Sequence, residues 1–141
     1  MYLPASFDRK ISDALFNGAT QRFIELGGLR DNITLYEVPG AFEIPGTVKT
    51  IIGMGSKYDA IVSLGCVIKG ETAHFEHIAS SVTNSLSHLS MQSSKPIIYG
   101  ILTTYNYQQA LVRSNPKKRN KGREVMDAAF KIIETYNTIK K

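Results

Sequence analysis

Residues 60–82, AIVSLGCVIKGETAHFEHIASSV, change from one hydrophobic pattern to another within a short span. Ala60 to Leu64 is almost wholly apolar and continues through Gly65 to Ile68, as expected of a strand buried on both faces. After the polar loop Lys69-Gly70-Glu71-Thr72, apolar residues recur at helical spacing at Phe75, Ile78, Ala79, Val82, Leu86 and Leu89. Strand, loop and helix in direct succession make the unit of a parallel sheet, whose ligands sit at the carboxyl ends of its strands.

Outward from this unit the pattern repeats. Upstream, Leu15, Phe16, Ala19, Phe23 and Leu26 follow Ile11 at helical spacing and stop at Gly27-Gly28, a C-terminal signal. Residues 33–38 are short, apolar-rich and β-prone and end at Pro39-Gly40, so they read as a strand. Val48, Ile51 and Ile52 after Pro45 predict a short helix stopping at Gly53-Met54-Gly55. Downstream, 96–102 reads as a second buried strand. Thr103 and Thr104 then offer capping hydroxyls to a helix over 108–112. A last helix over 122–139 turns Val125, Met126, Ala129, Ile132, Ile133 and Tyr136 inward. This alternation predicts a parallel sheet with helices on both faces.

The 141 residues, 43% of them hydrophobic, are expected to form one globular domain whose core needs neither disulfide nor structural metal. The single cysteine, Cys66, cannot form an internal bridge and fits a reducing compartment. With no apolar run of membrane-spanning length, and no basic-then-apolar pattern in the first ten residues, the expected location is the cytoplasm. The net charge of +5 is concentrated: residues 113–124 hold Arg113, Lys117, Lys118, Arg119, Lys121 and Arg123 against Glu124 alone. The remaining 11 basic and 11 acidic residues balance. Such a patch can meet nucleic-acid phosphates, hold one phosphate ester or form a solvated loop, and composition alone favours the loop.

The strand-end loops carry the chemistry. In Val38-Pro39-Gly40-Ala41-Phe42-Glu43-Ile44-Pro45, two prolines and a glycine stiffen the backbone around an aromatic ring and a carboxylate. That suits a flat polar ligand; a rigid turn before a helix is the plainer reading. Gly65 to Thr72 nearly matches a Walker A motif, but Glu71 stands where the essential lysine belongs, which argues against a nucleoside triphosphatase. What remains is an anion site for a single phosphate at the amino end of the following helix. His74, in its first turn, can move protons near neutral pH. His74 and His77 lack the spacing and third ligand of a zinc site, so no metal is expected. With no Gly-x-Ser-x-Gly elbow and Cys66 in an apolar run, no nucleophile is evident.

Five blocks, VPGAFEIP (38–45), GCVIKGETAHFEHI (65–78), YGILTT (99–104), QQALVRS (108–114) and NKG (120–122), together closely resemble the lumazine synthase family in order and spacing over nearly the whole chain. The resemblance implies a three-layer α/β/α sandwich, with a central, mostly parallel four-stranded sheet of flavodoxin-like type, in one domain over 1–141. It also implies a cofactor-free transferase of riboflavin biosynthesis. In that reaction 5-amino-6-ribitylaminouracil condenses with 3,4-dihydroxy-2-butanone 4-phosphate to give 6,7-dimethyl-8-ribityllumazine. By the same resemblance His74 is the catalytic histidine. Phe7, Ala41, Phe42, Glu43, Cys66, Val67 and Ile68 contact the pyrimidine and its ribityl chain, and Glu71 and Thr72 meet the phosphate. Arg113, Tyr99 and Lys121 come from a neighbouring subunit of a homo-pentamer, twelve of which close into an icosahedral shell in some members.

The sequence departs from the family pattern at Tyr99, usually Phe, at Phe7-Asp8, usually Phe-Asn, and at Gln108, usually Glu. The Gly-Thr-Lys-Ala-Gly loop of shell-forming members reads Asn115-Pro116-Lys117-Lys118-Arg119, with both glycines lost. The competing readings are an archaeal-type riboflavin synthase, a catalytically weak flavin-binding shell protein and a nucleic-acid-binding module. Retention of His74, Glu43 and Arg113 favours the synthase, with two small-molecule substrates and neither nucleic acid nor membrane as a partner.

Overall fold

A computed structural model describes residues 9–55 and 57–141. Helix α1 (Arg9–Glu25) is followed by a 3-10 turn (Arg30–Asn32), a segment without regular structure over 33–38 and a second 3-10 turn (Ala41–Glu43). Then come α2 (Ile44–Gly53), β1 (Ile61–Ile68), α3 (His74–Gln92), β2 (Ile97–Thr104), α4 (Tyr107–Ser114) and α5 (Lys121–Lys140). The strand and helix read from residues 60–82 are therefore present, with α3 opening at His74.

Helix α1 ends as the glycine pair predicts. Gly27 adopts φ 99°, Gly28 N–H donates to Phe23 C=O at 2.8 Å and Gly27 N–H to Ile24 C=O at 3.0 Å. This double closure satisfies the last carbonyls and needs a left-handed residue, which glycine adopts without steric cost.

The strands β1 and β2 run parallel in register from Ile61 opposite Ile97 to Ile68 opposite Thr104. Because side chains alternate across a strand, β1 feeds two cores. Val62, Leu64 and Cys66 pack with Ile98 and Leu102 against Ile11, Leu15 and Ala19 of α1, Ala110 of α4 and Val125, Met126 and Ala129 of α5. On the other face Ile61 and Ile101 meet Ile44, Val48 and Ile51 of α2 and Val82 and Leu86 of α3. Helices thus cover both faces of a parallel sheet, an α/β arrangement.

The expected four strands are not formed: among the described residues the sheet has two. Residues 33–38 form no regular element, although Ile33 itself is extended (φ −100°, ψ 122°). A cavity of about 710 Å³ lies between them and β1, with Ile33, Thr34 and Tyr36 on one wall and Ala60, Ile61, Val62 and Leu64 on another. Propensity favours extended backbone, but a ladder needs a neighbouring edge roughly 4.8 Å away, and here the facing edge lies across the cavity. The segment is held instead by Tyr36 Oη against Tyr58 Oη at 3.2 Å and by Glu37 against Arg9 at 3.4 Å.

The start of α4 also differs from the expected one. Thr103 and Thr104 belong to β2, and the cap is Asn106, whose side chain accepts from Gln109 N–H at 2.8 Å. Thr104 Oγ1 donates to Asn106 C=O at 3.0 Å and so steadies the turn without capping the helix.

Helices α1 and α5 approach closely because glycines face the contact. A Cβ on Gly122 would lie 2.0 Å from Leu15 C=O, and one on Gly18 would lie 2.1 Å from Asn120 Oδ1. Arg22 meets Asp127 at 2.7 Å and Arg123 meets Glu25 at 2.6 Å across the same contact. The Arg123 hydrogen bond, seconded by Arg22, holds the Glu25 carboxyl below its ordinary range. Part of the basic excess in 113–124 is thus engaged in a surface ion pair that bridges α5 to the end of α1.

Candidate active site

The site is assembled at the carboxyl end of β1, where the loop over 38–45, the end of the strand and the amino end of α3 converge on a cavity of about 750 Å³. Gly40 is extended (φ −164°, ψ 176°), and Glu43 N–H donates back to its C=O at 3.2 Å, closing a single 3-10 turn over Ala41–Glu43. Pro45 in the first turn of α2 continues the chain without a wasted donor. The turn buries Ala41, which anchors it to the core, and leaves Phe42 61% exposed at the cavity rim with Glu43 beside it. The loop's residue types suit either a rigid turn or a ligand-facing wall, and its place in the lining of a cavity favours the second.

Opposite, Cys66, Val67 and Ile68 supply the strand-end wall. Cys66 is 7% exposed and packs in the core as a small apolar group, with its edge on the cavity. Lys69 N–H donates to Thr104 C=O at 2.9 Å, extending the ladder one step before the chain turns away. Gly70 and Thr72 then line the cavity, and Thr72 Oγ1 accepts from His74 N–H at 3.4 Å. Ala73 occupies the cap position of α3 with no side-chain cap, so the first-turn N–H groups of Phe75 and Glu76 have no carbonyl one turn back. These groups and the helix dipole favour an anion there. His74 is exposed and lines the same cavity, within the first turn.

Eight of the expected residues therefore share one cavity: Ala41, Phe42, Glu43, Cys66, Val67, Ile68, Thr72 and His74. Glu71 sits on the same loop, exposed and outside the lining. Phe7 lies outside the described residues. Tyr99, Arg113 and Lys121 are elsewhere. Tyr99 is on β2 three residues before Leu102, the partner of Cys66, which is ~10 Å back along the strand. Its ring packs beside the α2/α3 core and its hydroxyl meets Thr83 Oγ1 at 3.0 Å, so the atom added over phenylalanine has a partner. Arg113 ends α4, exposed, and Lys121 begins α5 with Nζ 3.6 Å from Glu124.

Ile11, Phe75 and Ile78 also line the cavity. Ile78, four positions after His74, shares its helix face, and Phe75 reaches the cavity from the adjoining face of the first turn; helical spacing predicts both as inner-face residues. Ile11 comes from α1, and no local signal in the sequence ties it to the site. Beside the cavity Lys69 Nζ stands 5.5 Å from the Tyr105 ring centroid and 4.0 Å from Glu76.

The loop over 115–119 closes without its glycines. Asn115 Oδ1 accepts from Lys117 N–H at 2.8 Å and Asn115 C=O from Lys118 N–H at 3.1 Å. Positive φ among the described residues is confined to Gly27 and Gly55, so nothing in this loop asks for the left-handed region.

Comparison with known proteins identifies the family. The family model for 6,7-dimethyl-8-ribityllumazine synthase matches residues 3–137. The 6,7-dimethyl-8-ribityllumazine synthase of Chlamydia caviae is 41% identical over 135 residues, covering 96% of this chain and 88% of that protein. The enzyme of the same name from Sulfurospirillum multivorans is 38% identical over 136 residues, covering 96% and 86%. With the family model matching almost end to end and relatives this similar, the chain belongs to the 6,7-dimethyl-8-ribityllumazine synthase family.

Proposed function

We propose that this chain is a riboflavin-pathway transferase that condenses 5-amino-6-ribitylaminouracil with 3,4-dihydroxy-2-butanone 4-phosphate, releasing 6,7-dimethyl-8-ribityllumazine, phosphate and water. One observation carries the reading: a single cavity joins the Ala41–Glu43 turn, the end of β1 and His74 at the start of α3. The pyrimidine lies against Phe42, with Phe7 stacking on it, while Glu43 and the 66–68 strand end receive its polar edge and ribityl chain. The phosphate meets Thr72, Glu71 and the first-turn N–H groups of α3. Imine formation, phosphate elimination and ring closure then need two substrates held in register and protons moved between them. Orientation supplies much of the acceleration. His74 shuttles the protons, a role worth about 10²–10⁴-fold.

The site is completed by a neighbouring subunit. Tyr99, Arg113 and Lys121 stand away from the cavity of their own chain, while Phe42 remains open at its rim. In a homo-pentamer, alone or as one of twelve in a shell, these residues close the site of the adjacent copy and Arg113 supplies the charge for the phosphate. The buried thiol of Cys66 suits a cytoplasmic enzyme.

Product analysis tests the assignment. The purified oligomer should form lumazine and release one phosphate per lumazine from the two substrates. Riboflavin formed from lumazine alone would identify the archaeal-type reaction instead, and no product from either mixture would refute both.

A further inference from the structure

We propose that Asn120 is a positioning residue for phosphate binding, setting the relative placement of Arg113 and Lys121 through one buried side-chain amide. The inference rests on the shared-site reading above.

Asn120 is 2% exposed. Its Nδ2 donates to Ser114 C=O at 2.6 Å and to Ala14 C=O at 3.0 Å, and its Oδ1 accepts from Arg123 N–H at 3.0 Å. One amide therefore joins the residue after Arg113, the first turn that begins at Lys121, and helix α1. Ser114 is itself buried, and its hydroxyl donates to Ala110 C=O at 2.8 Å, so the last turn of α4 moves with the carbonyl that Asn120 holds.

Starting α5 does not require this arrangement. A helix cap needs only an acceptor, which serine, threonine or aspartate supplies equally well. The two donated bonds are what asparagine adds, and they run to the elements that carry the cations. Gly18 leaves room for the amide on its α1 side, where a Cβ would come within 2.1 Å of Oδ1. Between Arg113 and Lys121 the chain is an exposed turn of three further cations, Lys117, Lys118 and Arg119. Asn120 thus fixes from the buried side the two elements that carry Arg113 and Lys121, and misplacement by an ångström at a site these residues complete is costly.

The variant that separates these roles is Asn120→Asp. It keeps the acceptor for Arg123 N–H but turns a carboxylate oxygen toward the carbonyls of Ala14 and Ser114. Each substrate is varied in turn on the intact oligomer, inorganic phosphate is titrated as inhibitor, and Arg113→Ala is measured in parallel. The expected result is a KM for the phosphate substrate and an inhibition constant for inorganic phosphate both raised about 10-fold, with kcat and the KM for the pyrimidine within about 2-fold. Unchanged phosphate constants overturn the inference, and so does a parallel loss of kcat, both KM values and thermal stability. If Arg113→Ala raises the phosphate KM and Asn120→Asp does not, only the positioning role fails. If Arg113→Ala itself has no effect, the shared-site reading fails and the positioning role with it. Should Asn120→Asp not fold, Asn120→Ser, with a neutral acceptor and no donor reaching both carbonyls, gives the same readout.

Discussion

Replacing Gly122 by alanine places a methyl group 2.0 Å from Leu15 C=O, 2.9 Å from its carbonyl carbon and 3.0 Å from Ala19 N. Ordinary carbon–oxygen contact lies above 3 Å, so α5 must retreat from α1 by more than about 1 Å. Both obstacles are helix backbone, and neither can rotate aside as a side chain would. The retreat loosens Leu15 and Ala19 against Val125, Met126 and Ala129, all buried. A gap of about 1 Å forfeits up to half of each contact's attraction. Overpacking of this kind costs about 1–3 kcal/mol, and the rigid backbone puts Gly122→Ala near the top of that range. Alanine returns up to about 1 kcal/mol through helix propensity, leaving a net loss of about 2 kcal/mol. At about 2–4 °C per kcal/mol for a chain of this size, the thermal midpoint should fall by about 4–8 °C. Urea and thermal unfolding at one fixed protein concentration measure this, since assembly makes stability concentration-dependent. Gly46→Ala in α2, where nothing lies within 4 Å of the added Cβ, is the control and should be neutral or stabilised by up to about 1 kcal/mol. A Gly122→Ala protein as stable as the Gly46→Ala protein would refute the close-approach argument.

His74→Ala should lower kcat by about 10²-fold or more while leaving both KM values within a few-fold, as measured by steady-state lumazine formation. Oligomers reassembled from a mixture of His74→Ala and Arg113→Ala subunits should regain activity, because some sites then pair an intact His74 with a neighbour's intact Arg113. Mixed oligomers no more active than the separate variants would sink the shared site. Glu25, held below its ordinary range by Arg123 and Arg22, favours the folded state fully above the usual glutamate pKa of 4.5. That contribution is lost as pH falls through the lowered folded-state value, so a Glu25→Gln protein should show a flatter fall in unfolding midpoint across this acidic window. Identical slopes for the two proteins would remove the ion pair from the acid response.

Much of the fold, and the placing of His74 near a strand end, were legible in the order of residues because they depend on local physics. Helical spacing located α1, α3 and α5, the Gly27-Gly28 pair marked the close of α1, and the unbroken apolar runs located β1 and β2. His74 could be set beside the strand end because a few loop residues alone separate them, and the matching of five spaced blocks led to the family. Residues 33–38 show where that reasoning stops. Their β-propensity describes the backbone of one segment, whereas a strand is a hydrogen-bonded pair, and among the described residues they pair with no strand.

The remaining features depend on contacts between distant parts of the chain, and only folding brings those together. The turn at Ala41–Glu43 faces Cys66 and His74 because α2 packs across the sheet from α1, and Ile11 reaches the cavity from the far end of the sequence. Tyr99 carries an aromatic ring that sequence pattern assigns to a site, yet its depth along β2 keeps it from the cavity of its own chain. The basic run over 113–124 is uniform on paper. In the folded chain Arg123 pairs with Glu25 of α1 across the helix contact, Lys121 and Arg119 flank Glu124, and Arg113 stays exposed near the end of α4. Asn120 makes the distinction sharpest. In sequence it is a polar residue before a helix, and burial against α1 turns its amide into a junction of three elements, because an enclosed donor must find an acceptor wherever the fold provides one.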